Sequence, residues 1–325
     1  MEEQHFEQRI DLTGLTGAIQ QIKDLLATVI VGQRQMVDLL IAGILADGHI
    51  LIEGVPGVAK TLTAKLIAQC IDAKFSRIQF TPDLMPSDVL GTSVFNPKEN
   101  EFSFKPGPIF GHVILVDEIN RAPAKTQAAL FEVMEERQVT LDGHTYLMDE
   151  PFVVLATQNP IEQEGTYRLP EAQLDRFLVK IEVGYPTLEE ETQILANHHT
   201  QKLDERVASI KPILSTADIR AHRKTVKSLH IEDNLLEFIA RIVHETRNHK
   251  SIYLGASPRA SLAIANTAKA IAVMDDRDFI TPDDVIRVAP AVLRHRLILT
   301  PEREMEGLTT DDIVSQIIKE IAVPR

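Results

Sequence analysis

The chain reads as an α/β protein: a doubly wound parallel sheet between helices, followed by a smaller, all-helical region. Three observations predict this. Between residues 50 and 185, five short β-rich runs (50–52, 75–80, 113–116, 152–155 and 179–183) alternate with helical stretches. Four of those five lack polar alternation, as expected of parallel strands covered by helices on both faces. After Tyr185-Pro186 only helical signals remain.

At 325 residues there is room for about two domains, expected at 1–185 and 186–325, each with its own core. Charged residues at 25% and hydrophobic ones at 44% are the balance of a globular chain. A net charge of -13 argues against a sequence-independent hold on nucleic acid, which needs basic surface. The acidic start, Met1-Glu2-Glu3-Gln4-His5-Phe6-Glu7, has no apolar centre and does not read as a secretory signal. No apolar run approaches the roughly eighteen residues of a membrane span. The single cysteine, Cys70, cannot form an internal disulfide, which fits a reducing cytoplasm; its neighbours Leu66, Ile67 and Ile71 predict an inert core thiol.

A first helix is expected over about 15–30. The run at 50–52 then leads into Gly54-Val55-Pro56-Gly57-Val58-Ala59-Lys60-Thr61, and Leu62 continues a helical stretch, so the order is strand, phosphate-binding loop, helix. The usual pattern, G-x-x-x-x-G-K-[ST], has a glycine where Ala59 stands. That position needs a backbone N–H aimed at a phosphate, which alanine would supply with φ below zero. Gly54 and Gly57 are expected where a β-carbon would clash. Lys60 would reach the β/γ-phosphates of a nucleotide, and Thr61 would place a hydroxyl on Mg2+. A glycine-rich turn with a surface lysine is the competing explanation.

Two segments interrupt the alternation. Asp142-Gly143 between alternating runs at 139–146 signals a tight hairpin, and 92–110, with Asn96-Pro97 and Pro106-Gly107-Pro108, reads as a looser one. Between them Asp117 ends an apolar strand as a candidate Mg2+ carboxylate. Glu118 follows as the candidate acceptor of a proton from attacking water. Two solvated acids at a strand end are the alternative. Asn159, after the strand at 152–155, could hydrogen-bond a γ-phosphate or simply start a turn with Pro160. Arg176 could stabilise a transferring phosphoryl group across a subunit boundary, or pair with Asp175 or Glu171.

In the helical region, Thr187 with Glu190, Ser257-Pro258 and Thr281-Pro282-Asp283-Asp284 mark helix starts. Leu235, Phe238, Ile239, Ile242 and Val243 form one apolar stripe, as do Val285, Val288, Ala289 and Val292. Arg259, in the first turn after Ser257, could close this region onto bound nucleotide or be solvated. His244 and His249, five apart, diverge by roughly 140° on a helix and do not grip one metal. Arg294-His295-Arg296 reads as a helix end. Phe95, Phe102 and Phe104 either touch a substrate or pack within the looser hairpin.

The segments 54–61, 80–88 (Phe-Thr-Pro-Asp-Leu-Met-Pro-Ser-Asp), 116–123 (Val-Asp-Glu-Ile-Asn-Arg-Ala-Pro), 156–160 (Ala-Thr-Gln-Asn-Pro), 169–177 (Leu-Pro-Glu-Ala-Gln-Leu-Asp-Arg-Phe) and 255–259 (Gly-Ala-Ser-Pro-Arg) carry a resemblance. Over nearly all its length the chain resembles the MoxR family of AAA+ ATPases, whose pattern accepts alanine before the lysine. The resemblance implies an AAA+ P-loop NTPase core with two inserted hairpins, at about 91–111 and 138–148, and an all-α lid. It implies that Lys60 and Thr61 are the Walker A pair, Asp117 and Glu118 the Walker B pair, Asn159 sensor 1, Arg176 the arginine finger and Arg259 sensor 2. Val31-Gly32-Gln33 matches the segment that lies against adenine. ATP and Mg2+, a homo-oligomeric ring that is a hexamer, and chaperone-like maturation or activation of a protein complex follow as further implications. So does a client or partner bearing a von Willebrand factor A domain, sometimes with metal insertion. The other readings are a motor or loader on DNA, disfavoured by the acidic charge, and a nucleotide-gated adaptor without hydrolysis, disfavoured by the intact acids. A small-molecule kinase would not need the two arginines and a helical lid.

Overall fold

The computed structural model describes residues 11–98, 100–159, 167–200, 203–208 and 210–324; the amino-terminal segment read for a signal, and Pro160, lie outside them. Helices α1 (Thr13–Ala27) and α2 (Arg34–Leu45) precede β1 (His49–Gly54), α3 (Lys60–Cys70) and β2 (Phe75–Gln79). A short α4 (Pro86–Leu90) leads to the hairpin β3 (Gly91–Asn96) and β4 (Glu101–Pro106). Then come β5 (Val113–Asp117), α5 (Ala124–Glu136), the hairpin β6 (Gln138–Leu141) and β7 (His144–Leu147), β8 (Val153–Gln158), α6 (Glu171–Leu174) and β9 (Phe177–Val183).

All five expected runs form one sheet in the order β2-β5-β8-β1-β9, and every neighbouring pair is parallel. The apolar β5 and the first five residues of β8 are buried, as internal strands must be. Strand β2 is an edge, which explains its mixed sequence: Ile78 is buried while Arg77 and Gln79 are exposed. Parallel strands bring all their carboxyl ends to one side of the sheet, where ligands bind in such folds.

Both inserted hairpins form. Asp142 (φ 50°) and Gly143 (φ 79°) are both left-handed, as a type I′ turn requires. The looser hairpin pairs from Gly91 with Pro106 to Asn96 with Glu101. Phe104 stacks on Tyr146 at 4.1 Å, and Ser93 Oγ donates to Asp142 Oδ2 at 2.5 Å, so the hairpins pack on each other. Phe104 is thus a packing residue, whereas Phe95 and Phe102 meet each other and stay exposed.

Beyond β9 lie α7 (Leu188–Thr200), α8 (Leu203–Ala208), α9 (Thr216–Ser228) and α10 (Asp233–Asn248). After them come α11 (Pro258–Met274), α12 (Pro282–Leu293), α13 (Pro301–Met305) and α14 (Thr310–Glu320). A short antiparallel pair, β10 (Ile252–Leu254) with β11 (Ile298–Leu299), joins what the sequence presents as helix alone. The helix starts are capped as read: Thr187 N donates to Glu190 Oε2 and Glu190 N to Thr187 Oγ1, while Ser257 Oγ accepts from Arg259 N. The α10 stripe, Leu235 to Val243, is buried. Cys70 is fully buried, and burial pushes its thiol up to about 11, so it is inert.

The expectation of two separate cores is corrected. One apolar cluster runs from α1, α2, α3 and one face of the sheet into α9–α12; Phe80, Phe131, Phe152 and Phe177 belong to a second, on the other face. The reason lies in α2, whose residues from Met36 to Leu45 are nearly all buried. A helix apolar on all sides needs neighbours on all sides. It finds β1 and β9 on one side and α9 and α11 on the other.

Buried polar groups sit at the same junction. Arg223 of α9 pairs with Asp47 and donates Nε to the Ile44 carbonyl at 2.8 Å; Arg137 meets Asp47 at 3.0 Å. His49 Nδ1 accepts the Val154 N–H at 3.0 Å, so Nε2 must carry the proton given to the Met134 carbonyl. Burial above all, with Arg137 and Arg223 nearby, lowers this histidine from 6.5 to about 4; His295, buried beside Arg296, is lowered as well. The folded state then binds fewer protons than the unfolded one between about pH 6.5 and 4. Stability should be flat above that window and fall as pH drops through it, by up to about 1.4 kcal/mol per pH unit from His49. Urea midpoints from pH 7.5 to 4.5 measure this, and His49→Gln should flatten the slope; an unchanged slope would assign it elsewhere.

Candidate nucleotide site

The loop after β1 is shaped by three residues acting differently. A β-carbon at Gly54 would stand 2.6 Å from the Val183 carbonyl oxygen of β9, so glycine is required by space. At Gly57 the space is open, and the requirement is its φ of +89°. The clash expected there is therefore corrected, and so is the negative φ expected at Ala59, which is left-handed at φ 60°, ψ 20°. Val58 between them is not, so handedness alternates over 57–59, the arrangement that turns successive N–H groups toward one anion-binding hollow. Forcing a non-glycine residue into this region costs roughly 1 kcal/mol. The Ala59 carbonyl in turn accepts both the N–H and the hydroxyl of Thr63 at 2.9 Å, anchoring the first turn of α3. Lys60 Nζ donates to the Gly54 carbonyl at 2.6 Å, folded back over the loop, in which Val55 is half-buried and Pro56 and Gly57 are exposed.

Asp117 ends β5 almost fully buried and is held from three sides. Thr61 Oγ1 lies 3.4 Å from its Oδ2, Thr157 Oγ1 donates to Oδ1 at 3.1 Å, and Arg77 Nε donates to Oδ2 at 2.6 Å. Glu118 follows in a left-handed conformation, φ 57°, ψ 51°, its N–H donating to Thr157 Oγ1 at 3.0 Å. Its carboxylate accepts from Gln79 Nε2 at 2.7 Å and pairs with Arg121 at 3.1 Å. Asn159 lies buried just past β8. Arg77, Gln79 and Thr157 were not singled out from sequence, although the polar alternation of 75–80 was a signal for the first two. Thr61 and Asp117 present hard oxygens to one point, which suits Mg2+; that ion takes one or two carboxylates and completes its shell with phosphate and water. Among the described residues no group of three or more His, Cys, Asp or Glu could hold a metal, so such an ion needs those outside ligands.

Beside the loop runs an apolar cleft of about 210 Å³. Val31, Gln33, Val58, Ala59 and Leu62 line it together with Pro186, Ile194, Asn197 and Arg206. Gly32 (φ +79°) is where the start of α7 docks, because a β-carbon would run into the Glu190 carboxylate that caps α7. The contribution of α7 and α8 to this cleft carried no signal in the sequence.

The two candidate arginines meet elsewhere. Arg176 pairs with neither Asp175 nor Glu171; its Nη1 donates to the Phe131 carbonyl at 2.6 Å and lies 3.7 Å from Glu135. Arg259 Nη2 donates to the same Glu135 at 2.9 Å, so it stands with Arg176 and does not line the cleft. Asp175 instead accepts from Ser257 Oγ at 2.8 Å and from the buried Arg296 at 2.7 Å. Arg296 also reaches the carbonyls of Asp175, Phe177 and Leu178, just beyond the end of α12, as the helix-end reading of 294–296 expects.

The left-handed Ala59 gives a direct test. Ala59→Gly should stabilise the nucleotide-free protein by a few tenths to about 1 kcal/mol, the strain relieved less the entropy glycine adds to the unfolded chain. Thermal melting would show a rise of about 1–4 °C; a lower melting temperature would mean that Ala59 is not strained.

Comparison with known proteins agrees with this architecture. Residues 49–179 match the ATPase family associated with various cellular activities (AAA), and residues 244–317 match the AAA lid domain. The chain is 47% identical over 296 residues to the uncharacterized protein YeaC of Bacillus subtilis, covering 91% of this chain and 92% of that one. It is 44% identical over 306 residues to Chaperone MoxR1 of Mycobacterium tuberculosis, covering 91% and 80% respectively. A crystal structure of a provisionally described ATPase from Cytophaga hutchinsonii superposes with a TM-score of 0.88 at 41% identity, covering 96% of this chain and 97% of that one. Likeness of this extent to a MoxR chaperone, spanning both the loop-bearing sheet and the lid, means that the chain belongs to the MoxR family of AAA+ ATPases.

Proposed function

We propose that this chain hydrolyses ATP with Mg2+ at the loop 54–61, within a homo-oligomeric ring, and uses the cycle to mature or activate a protein complex. The observation that carries the reading is the convergence of Thr61, Asp117, Glu118 and Thr157 at the carboxyl side of the sheet, next to Lys60. Gly54 to Leu62 would cradle the phosphates, with Lys60 on the β/γ pair. Thr61 and Asp117 would hold Mg2+, which when bound neutralises charge on the phosphate oxygens. Glu118 would take the proton of the attacking water as the new oxygen–phosphorus bond forms and the bond to ADP breaks. To do so it must exchange Gln79 and Arg121 for that water. Asn159 would bond the γ-phosphate, and Val31, Gly32 and Gln33 would face the adenine.

Members of this family typically form rings, and the pairing of Arg176 with Arg259 on Glu135 supports offering both to a nucleotide held by the adjacent copy of a hexamer. Division of the chain at 185/186 into a nucleotide-binding domain and a lid belongs to the same reading. So does a protein client, with a von Willebrand factor A partner, in the cytoplasm. The name of the Mycobacterium tuberculosis relative, a chaperone, supports the protein client, and the charge of -13 speaks against DNA. Among the described residues no helix is long and apolar enough to cross a membrane.

Glu118→Gln should leave ATP binding intact and lower turnover by about 10²-fold or more; normal phosphate release would sink the base assignment. Arg176→Ala should lower turnover by about 10³-fold. Mixing Arg176→Ala copies with Glu118→Gln copies then separates the geometries. Activity should partly return, since a Glu118→Gln copy can lend its arginine to a neighbour with an intact base. No recovery in a mixed ring would place the arginine in its own site.

A further inference from the structure

Arg77 makes the shortest contact that the Asp117 carboxylate has. Its Nε stands 2.6 Å from Oδ2, against 3.4 Å for the Thr61 hydroxyl on that same oxygen. A second bond ties Arg77 Nη2 to Gln79 Oε1 at 3.2 Å. On β2, residues 77 and 79 share one face, opposite Leu115 and Asp117 of β5, so the sheet register holds the guanidinium over the carboxylate.

Four physical facts bear on this pair. The carboxylate is buried, and a buried charge without a partner is costly. A guanidinium is always charged, so it serves as that partner at any physiological pH. The Arg77 side chain is 53% exposed, so it can turn out to water with little loss. Two cations on one carboxylate oxygen repel. We propose that Arg77 is a positioning residue that competes with the divalent cation for Asp117: the guanidinium and the metal are alternative partners of one carboxylate. Arg77 therefore sets how strongly metal and nucleotide binding are coupled. The inference rests on Asp117 as the metal carboxylate.

The test compares the dissociation constant of a non-hydrolysable ATP analogue in EDTA with that in saturating Mn2+, by calorimetry on the full chain. The ratio of the two reads the metal's contribution without turnover. Arg77→Gln should enlarge that ratio by about three- to tenfold, the range for a partly exposed charged hydrogen bond, while leaving the EDTA value within about twofold. Arg77→Lys, which keeps the charge, should stay close to the parent. An unchanged or smaller ratio in Arg77→Gln, or an equal increase in Arg77→Lys, would overturn the proposal. Asp117→Asn guards the premise. If it leaves the parent ratio unchanged, the metal assignment fails, whatever Arg77 does.

Discussion

Five strands running in one direction can deliver loops to a common side only at their carboxyl ends, and the order β2-β5-β8-β1-β9 decides which loops become neighbours there. Gln79 and Asp117 end two adjacent strands and Thr157 is the next-to-last residue of a third beside them, and that adjacency makes the chain of bonds from Thr157 through Asp117 to Arg77 possible. The loop 54–61 leaves β1 between β8 and β9. The close approach of β9 is what forbids a side chain at Gly54. The left-handed residues Gly57, Ala59 and Glu118 lie in the segments that follow β1 and β5 on this side of the sheet, where the backbone turns sharply.

The second organising feature is the lack of a seam between the sheet and the helices beyond it. With α2 buried on all sides and Arg223 tied to Asp47, the helical region shares its interior with the sheet. Asp175 extends that union to the arginines. It links the segment carrying Arg176 to Ser257, the cap of the helix carrying Arg259, and both arginines rest on Glu135. The two arginines therefore share one partner on α5. The cleft beside the loop is covered instead by α7 and α8, held at their start by Glu190 over Gly32.

Much of this was legible in the chain itself. Unbroken apolar runs such as 113–116 report burial on both faces; Asp142-Gly143 reports a two-residue turn; Ser257 and Thr187 report helix starts. Each depends on contacts within a few residues of itself. The same holds for the placement of Lys60 and Thr61 at the start of a helix and of Asp117 and Glu118 at the end of a strand. Whether a residue is forced into φ > 0, and who shares a carboxylate, depends on distant neighbours. Ala59 looked free to be right-handed because nothing local forbids it.

The sequence by itself therefore determined the class of the fold, the five strands, the two hairpins and the loop that joins the first strand to its helix, because these follow from periodicity and local geometry. Only the tertiary structure decided that Arg77 lies on Asp117, that Arg176 and Arg259 converge on Glu135, and that one core joins sheet and helices. Those pairings join residues 40 to 124 positions apart, a separation that no local pattern encodes and that strand order and helix packing set.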